Sequence, residues 1–205
     1  METRILSVEI PDAINHGIRI LQNGGLVAFP TDTVYGIGAL AFNEKAIESI
    51  FVAKDRPAEK AIPVLLSGAE ELAKVASIVP AMAQRLASRF WPGPLTLVIP
   101  KNSTLPEVVS ATDTVGVRMP DDPTALALLK EVGPLAVTSA NISGGMNPSS
   151  ADEVFAQMRG RIELILDGGL TSGRMPSTVV DCTKKEPVIL RAGPVSLEEI
   201  TTALK

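Results

Sequence analysis

The residues able to do chemistry sit where apolar runs end. An apolar run at 26–29 stops at Pro30, and Thr31, Asp32, Thr33, Tyr35 and two glycines follow. A second run at 135–137 opens into Thr138, Ser139, Ala140 and Asn141. Open α/β sheets place ligands at strand ends of this kind. Ser139 and Asn141 lie two apart, so an extended backbone would project a hydroxyl and an amide to one side. Lys54 and Arg56 share that spacing, Pro57 favours an extended Arg56, and Lys60 adds a cation nearby. In a chain that is acidic overall, this cluster suits phosphate, with Arg as a fork and Lys as a point charge. Arg118 stands among apolar neighbours, where an unpaired charge is costly. A ligand carboxylate or an internal Asp or Glu would pair it. Ser177 marks the junction of a loop and a later apolar run, and Arg191 ends the last one.

Hydroxyls, an amide and cations bind anions and hold them in line, so catalysis would rest on position and charge. The chain has no Gly-x4-Gly-Lys-[Ser/Thr] loop, no Gly-x-Gly-x-x-Gly opening a helix, and no evident nucleophile beside a base. Adenylation of a carboxylate-type substrate by ATP fits such a site. Cations would stabilise the α-phosphate and the departing pyrophosphate, assisted by magnesium.

The bulk composition excludes other chemistries. A single His16 removes Ser-His-Asp and multi-histidine schemes, and a single Cys182 forbids an internal disulfide or a cysteine-rich zinc site. No metal site built from protein side chains is expected, and His16 reads as a surface or packing residue of its helix. The net charge of −4 gives no overall basic field toward nucleic acid or membrane, although a local patch can still form. Aromatics are 3%, so the core must be aliphatic. The N-terminus is followed by no apolar segment long enough for a signal peptide or membrane span, so a cytoplasmic location is expected. No repeat, low-complexity tract or linker divides the chain, and 1–205 reads as a single domain.

The positioning elements follow from periodicity and punctuation. Strands are predicted at 4–10, 26–29, 36–41, 62–66, 95–99, 115–120, 135–137, 162–167, 178–181 and 188–191. Helices are predicted from Pro11 to Asn23, from Asn43 through Phe51, at 70–76, 81–90 and 123–132, and up to Met158. Ser196 and Glu199 form a capping box at the start of a terminal helix. Trp91 in the rigid Trp-Pro-Gly-Pro turn reads as a packing anchor.

Seven short motifs occur in a fixed order. They are Pro-Thr-Asp-Thr-Val-Tyr-Gly at 30–36, Lys-Asp-Arg-Pro at 54–57, Trp-Pro-Gly-Pro-Leu-Thr at 91–96 and Val-Arg-Met-Pro at 117–120. Ser-Ala-Asn-Ile-Ser-Gly at 139–144, Pro-Ser-Thr-Val-Val-Asp at 176–181 and Leu-Arg-Ala-Gly at 190–193 complete the set. Together, from about residue 10 to residue 200, the chain resembles the YrdC family. The resemblance implies an α/β fold: a twisted sheet of mixed parallel and antiparallel strands, flanked by helices, around a concave basic cavity. It implies that L-threonine, bicarbonate and Mg-bound ATP give threonylcarbamoyl-AMP and pyrophosphate, the first step of a tRNA modification. A separate tRNA-modifying transferase would take the product to an adenosine beside the anticodon. A YrdC-like module that holds RNA or a nucleotide without turnover is the alternative.

By the same resemblance, Lys54 and Arg56 are the implied catalytic pair. Arg56, Lys60, Thr114, Ser139, Asn141, Asn147 and Arg191 would line the nucleotide. Thr33, Arg118, Val137 and Ser177 would line the threonine, with Arg118 on its carboxylate. Thr31 and Tyr35 would form a surrounding shell. Two departures stand out. Leu65 occupies a place near which many relatives have a histidine. The chain also stops at residue 205, short of the C-terminal domain that gates the site of longer relatives, so a more open site or one covered by a partner is expected.

Overall fold

Short aliphatic runs punctuated by Gly, Pro and Asn favour many short strands over a few long ones. In a computed structural model, which describes residues 1–173 and 175–205, these runs become β1 (Arg4–Ser7), β2 (Val27–Phe29), β3 (Gly36–Leu40), β4 (Val64–Leu65) and β5 (Leu95–Pro100). β6 (Thr114–Arg118), β7 (Leu135–Ser139), β8 (Leu164–Asp167), β9 (Thr178–Asp181) and β10 (Val188–Arg191) follow. They form one ten-stranded sheet in the order β1-β8-β2-β3-β7-β4-β6-β5-β9-β10. The pairs β1–β8, β2–β8, β4–β6 and β5–β9 are parallel, and the remaining pairs are antiparallel. The sheet is therefore mixed, as expected. The predicted strand at 4–10 is shorter than its alternation suggested, because the chain turns after Ser7.

Seven α-helices flank the sheet among the described residues: α1 (Ala13–Gln22), α2 (Glu44–Lys54), α3 (Leu72–Val75), α4 (Ala81–Phe90), α5 (Pro123–Val132), α6 (Ala151–Met158) and α7 (Leu197–Leu204). Their starts carry side-chain caps where the sequence offers them. Asn43 accepts from Ala46 N, Asp122 from Ala125 N ahead of Pro123, and Ser150 from Glu153 N. The Ser196–Glu199 capping box forms as predicted. None of the helices is long and apolar enough to cross a membrane, among the described residues.

Alternation along each strand sorts the core into two clusters. Ala28, Ile37, Val64, Leu95, Leu97 and Ala136 face α2, α3, α4, α6 and α7. Val27, Phe29, Leu65, Leu135, Val137 and Leu164 face the other way, with Leu21 of α1 and Leu128 of α5. Trp91 packs against the first cluster, and its Nε1–H donates to Leu95 O at 2.7 Å. Of the helices, only α1 and α5 contribute to the second cluster among the described residues, beside β2, β7, β8 and Leu65 of β4. Over β4, β6, β5 and β9 that same face stays open, and the cavity lies there.

Candidate active site

The cavity has a volume of about 400 Å³. Its floor is made by alternate residues of neighbouring strands: Val137 and Ser139 of β7, Gly116 and Arg118 of β6, and Thr96 and Val98 of β5. Each pair is two apart, so each projects to the same face of the sheet. Gly36 keeps the floor open at β3, since a Cβ there would come within 2.7 Å of Val137 Cγ1. Leu65 of β4 lies between these strands, in register with Arg118 on one side and Leu135 on the other. The walls come from Thr31, Thr33, Val34 and Tyr35, from Arg56 after α2, from Pro176 and Ser177, and from Leu190 and Arg191 of β10.

Arg56, Arg118, Ser139 and Arg191, which are far apart in sequence, all line this one cavity. Thr31, Thr33, Tyr35, Val137, Asn147 and Ser177 line it with them. Lys54, Lys60, Thr114 and Asn141 do not line it. Lys54 and Arg56 were expected to share one face of an extended segment. Instead α2 continues through Lys54, and Asp55 turns the chain in the left-handed region at φ 50°. The helix thus sends Lys54 inward and the turn sends Arg56 to the cavity. Lys54 is 1% exposed, and its Nζ donates to the carbonyls of Ser139 and Asn141. Its own carbonyl accepts from Ser143 N at 2.8 Å. Lys54 is therefore a strut behind the Ser139–Asn141 turn.

The Ser139 and Asn141 side chains also part company. Asn141 N donates to Ser139 O at 3.0 Å, so the backbone turns between them. The Asn141 Nδ2 group donates to Ile142 O and Gly145 O at 2.8 and 2.9 Å, bracing the following loop. Thr114 begins β6, four residues before Arg118, and its hydroxyl pairs with that of Thr112 at 3.0 Å. Lys60 is exposed, but its carbonyl and that of Ala61 accept from Arg56 Nε and NH2 at 3.3 and 2.8 Å. The Tyr35 hydroxyl donates to Gly169 O at 2.7 Å and accepts from Gly168 N at 3.2 Å. Burial pushes that phenol up to about 12.

Two polar networks cross the cavity wall. Arg118 is 6% exposed; its Nε donates to Gly93 O and its NH1 to Thr33 Oγ1, both at 3.0 Å, and its NH2 pairs with Asp32 Oδ1. An internal carboxylate thus partners Arg118. A guanidinium carries five N–H groups, so two remain for a ligand. Burial weighs against the Arg118 charge, and the Asp32 carboxylate offsets part of that cost. In the second network, Arg191 donates from Nε and NH2 to Ser177 O at 3.0 and 2.7 Å. Its NH2 also reaches Ser177 Oγ at 3.0 Å, and Ser177 Oγ lies 2.7 Å from Thr96 Oγ1. Burial, then the charge of Arg118, lowers the pKa of Arg191, so the two guanidiniums feel each other. A site with two mutually repelling cations gains from an anion between them.

Thr96 and the inward role of Asp32 were not anticipated from the sequence. Thr96 carried a signal: it is a lone hydroxyl at an alternate position of an otherwise apolar strand. Among the described residues no three His, Cys, Asp or Glu side chains gather to hold a metal ion. The polar lining is hydroxyl, amide and guanidinium, which complements anion oxygens better than a bare cation.

A family model covering Sua5, YciO and YrdC proteins, described as "Telomere recombination", matches residues 19–193. The chain is 48% identical over 182 residues to the threonylcarbamoyl-AMP synthase of Pyrococcus abyssi, covering 88% of this chain and 54% of that protein. It is 38% identical over 214 residues to the threonylcarbamoyl-AMP synthase of Bacillus subtilis, covering 100% of this chain and 62% of that protein. The chain thus spans only about half to three-fifths of the length of these two relatives. The crystal structure of P. abyssi Sua5 complexed with L-threonine superposes with a TM-score of 0.94 at 43% identity, over 100% of this chain and 61% of that one.

Proposed function

This chain belongs to the family of Sua5, YciO and YrdC proteins, and from that premise we propose that it is a threonylcarbamoyl-AMP synthase. It would convert L-threonine, bicarbonate and Mg-bound ATP into threonylcarbamoyl-AMP and pyrophosphate. The observation that carries this reading is the convergence of Arg56, Arg118, Ser139 and Arg191 on one cavity. The L-threonine bound to the P. abyssi protein supports an amino-acid site in the same fold.

The reaction makes two bonds. The neutral amino nitrogen of threonine attacks the carbon of bicarbonate, and water leaves, giving a carbamate. A carbamate oxygen then attacks the α-phosphorus in line, and the bond to the β-phosphate breaks as pyrophosphate departs. The chain's part is to bind, align and balance charge. We assign the two free N–H groups of Arg118 to the threonine carboxylate, with Thr33, Val137 and Ser177 around the amino acid. Arg56, Ser139, Asn147 and Arg191 hold the nucleotide. Lys60 and Thr114, outside the cavity, would meet only parts of the nucleotide that project from it. Lys54 and Asn141 act one step back, by fixing the turn that presents Ser139. Mg²⁺ arriving on the triphosphate would neutralise charge on the leaving group. A separate transferase would carry the product to tRNA.

Mass spectrometry of the product formed from ¹³C-bicarbonate, L-threonine and ATP tests the proposal. Labelled threonylcarbamoyl-AMP, with pyrophosphate release that needs both threonine and bicarbonate, is expected. No release, together with tight RNA or nucleotide binding, would point to a binding module.

A further inference from the structure

Thr31 lines the cavity, and its bonds determine what its neighbour Thr33 can offer a ligand. Thr31 is 4% exposed, and its hydroxyl lies 2.7 Å from Val34 O. A carbonyl only accepts, so the one Thr31 proton goes there. The two lone pairs of Thr31 Oγ1 then face Thr33 N at 3.1 Å and Thr33 Oγ1 at 3.0 Å. In that second contact Thr33 must be the donor. Its single hydroxyl proton therefore points at Thr31, while Arg118 NH1 donates to one of its lone pairs at 3.0 Å. One lone pair is left on a residue that lines the cavity.

We infer that Thr31 is a positioning residue that makes Thr33 an acceptor-only contact, so that the cavity selects an amino acid presenting a side-chain O–H donor. The inference rests on the threonine-binding reading above. A neutral hydroxyl suits the position better than an ammonium, because the Arg118 guanidinium already touches Thr33. A threonine hydroxyl left free to rotate would meet a donor or an acceptor equally well. Fixed by Thr31, it opposes a ligand atom that carries lone pairs and no proton. A site built to bond a substrate hydroxyl rejects an analogue without one, because its own polar group is left unmet.

Titration calorimetry on the full chain with L-threonine and its 3-fluoro analogue, (2S)-2-amino-3-fluorobutanoate, tests this. Fluorine is close in size to the hydroxyl but donates nothing. The wild-type chain is expected to prefer L-threonine by about tenfold. Thr31→Ser keeps the oxygen and should keep that ratio. Thr31→Val frees the Thr33 proton to turn toward fluorine and should cut the ratio to about threefold or less. Thr31→Ala, which also lacks the oxygen, is read in the same way should the valine variant fail to fold by circular dichroism. An unchanged ratio in these variants, whether or not both ligands weaken together, overturns the inference and leaves the synthase reading standing. A wild-type chain that binds no L-threonine, with or without ATP, overturns both.

Discussion

Arg56 owes its direction to two carbonyls rather than to an opposite charge. Its Nε and NH2 rest on Lys60 O and Ala61 O, which leaves other N–H groups of the fork for the cavity. A lysine cannot hold two such bonds and still present a planar face. Arg56→Ala and Arg56→Lys should both lower pyrophosphate release by about a hundredfold, with circular dichroism unchanged. Turnover within a few-fold of wild type would remove Arg56 from the site. Lys54 makes a different prediction. Burial, and then the nearby charge of Arg56, hold its pKa down to about 7. Its two acceptors suit this, since a neutral amine still has two N–H groups. The unfolded chain keeps the Lys54 proton up to about pH 10.4. Above about pH 7, then, the unfolded state binds the extra proton and folding stability rises with pH; it is lost as pH falls through 7. Above about pH 9, Cys182, which burial pushes up to about 12, acts in the opposite sense. Urea midpoints between pH 6 and 9 should climb for the wild type and climb less for Lys54→Met. Equal slopes would show that Lys54 does not shed its proton there.

At the scale of elements, the end of α2 is the decisive joint. Asp55 at φ 50° separates a buried strut from a cavity cation, and its carboxylate meets Arg161 at 2.9 Å on the surface. That exposed pair is worth little, so the backbone conformation matters more. Asp55→Gly should retain both stability and turnover, whereas Asp55→Val should lose about 1–2 kcal/mol and misdirect Arg56. Thermal melts and pyrophosphate release separate the two. A second joint lies at Gly193, where a Cβ would come within 2.3 Å of Thr178 N and 2.6 Å of Ser177 C. Gly193→Ala should displace Ser177 and raise the KM for threonine; an unaltered KM would show that the loop yields. These joints also mark how far the sequence could be read. Apolar runs, turn residues and caps fixed the strands, the helix starts and the polar strand ends, because those signals are local. The paired spacings at Lys54 and Arg56, and at Ser139 and Asn141, predicted side chains on a shared face. Only one of each pair lines the cavity, because a left-handed residue and a tight turn intervene. Asp32 reaching Arg118 across 86 positions depends on tertiary placement that no local pattern carries.

For the whole molecule, the uneven covering of one sheet face creates the site. α1 and α5 shield one part of that face, and the cavity occupies the rest. A ligand that fills it should stabilise the folded chain by about 2.7 kcal/mol at a hundred times its dissociation constant. A shift in melting temperature with Mg-ATP, enlarged when threonine is added, checks this, and no shift would place nucleotide binding elsewhere. The order of the strands has a temporal consequence. Among the described residues β1 pairs only with β8, and β5, already paired with β6, gains its second neighbour when β9 is made. Arg191, on the edge strand β10, comes later in the sequence than every other residue assigned to the cavity. A nascent chain arrested before residue 177 lacks both Ser177 and Arg191, so it should retain no nucleotide on a column of immobilised ATP. Emergence of the stretch from 177 to 191, more than any earlier local folding event, then decides when the cavity can first hold a ligand.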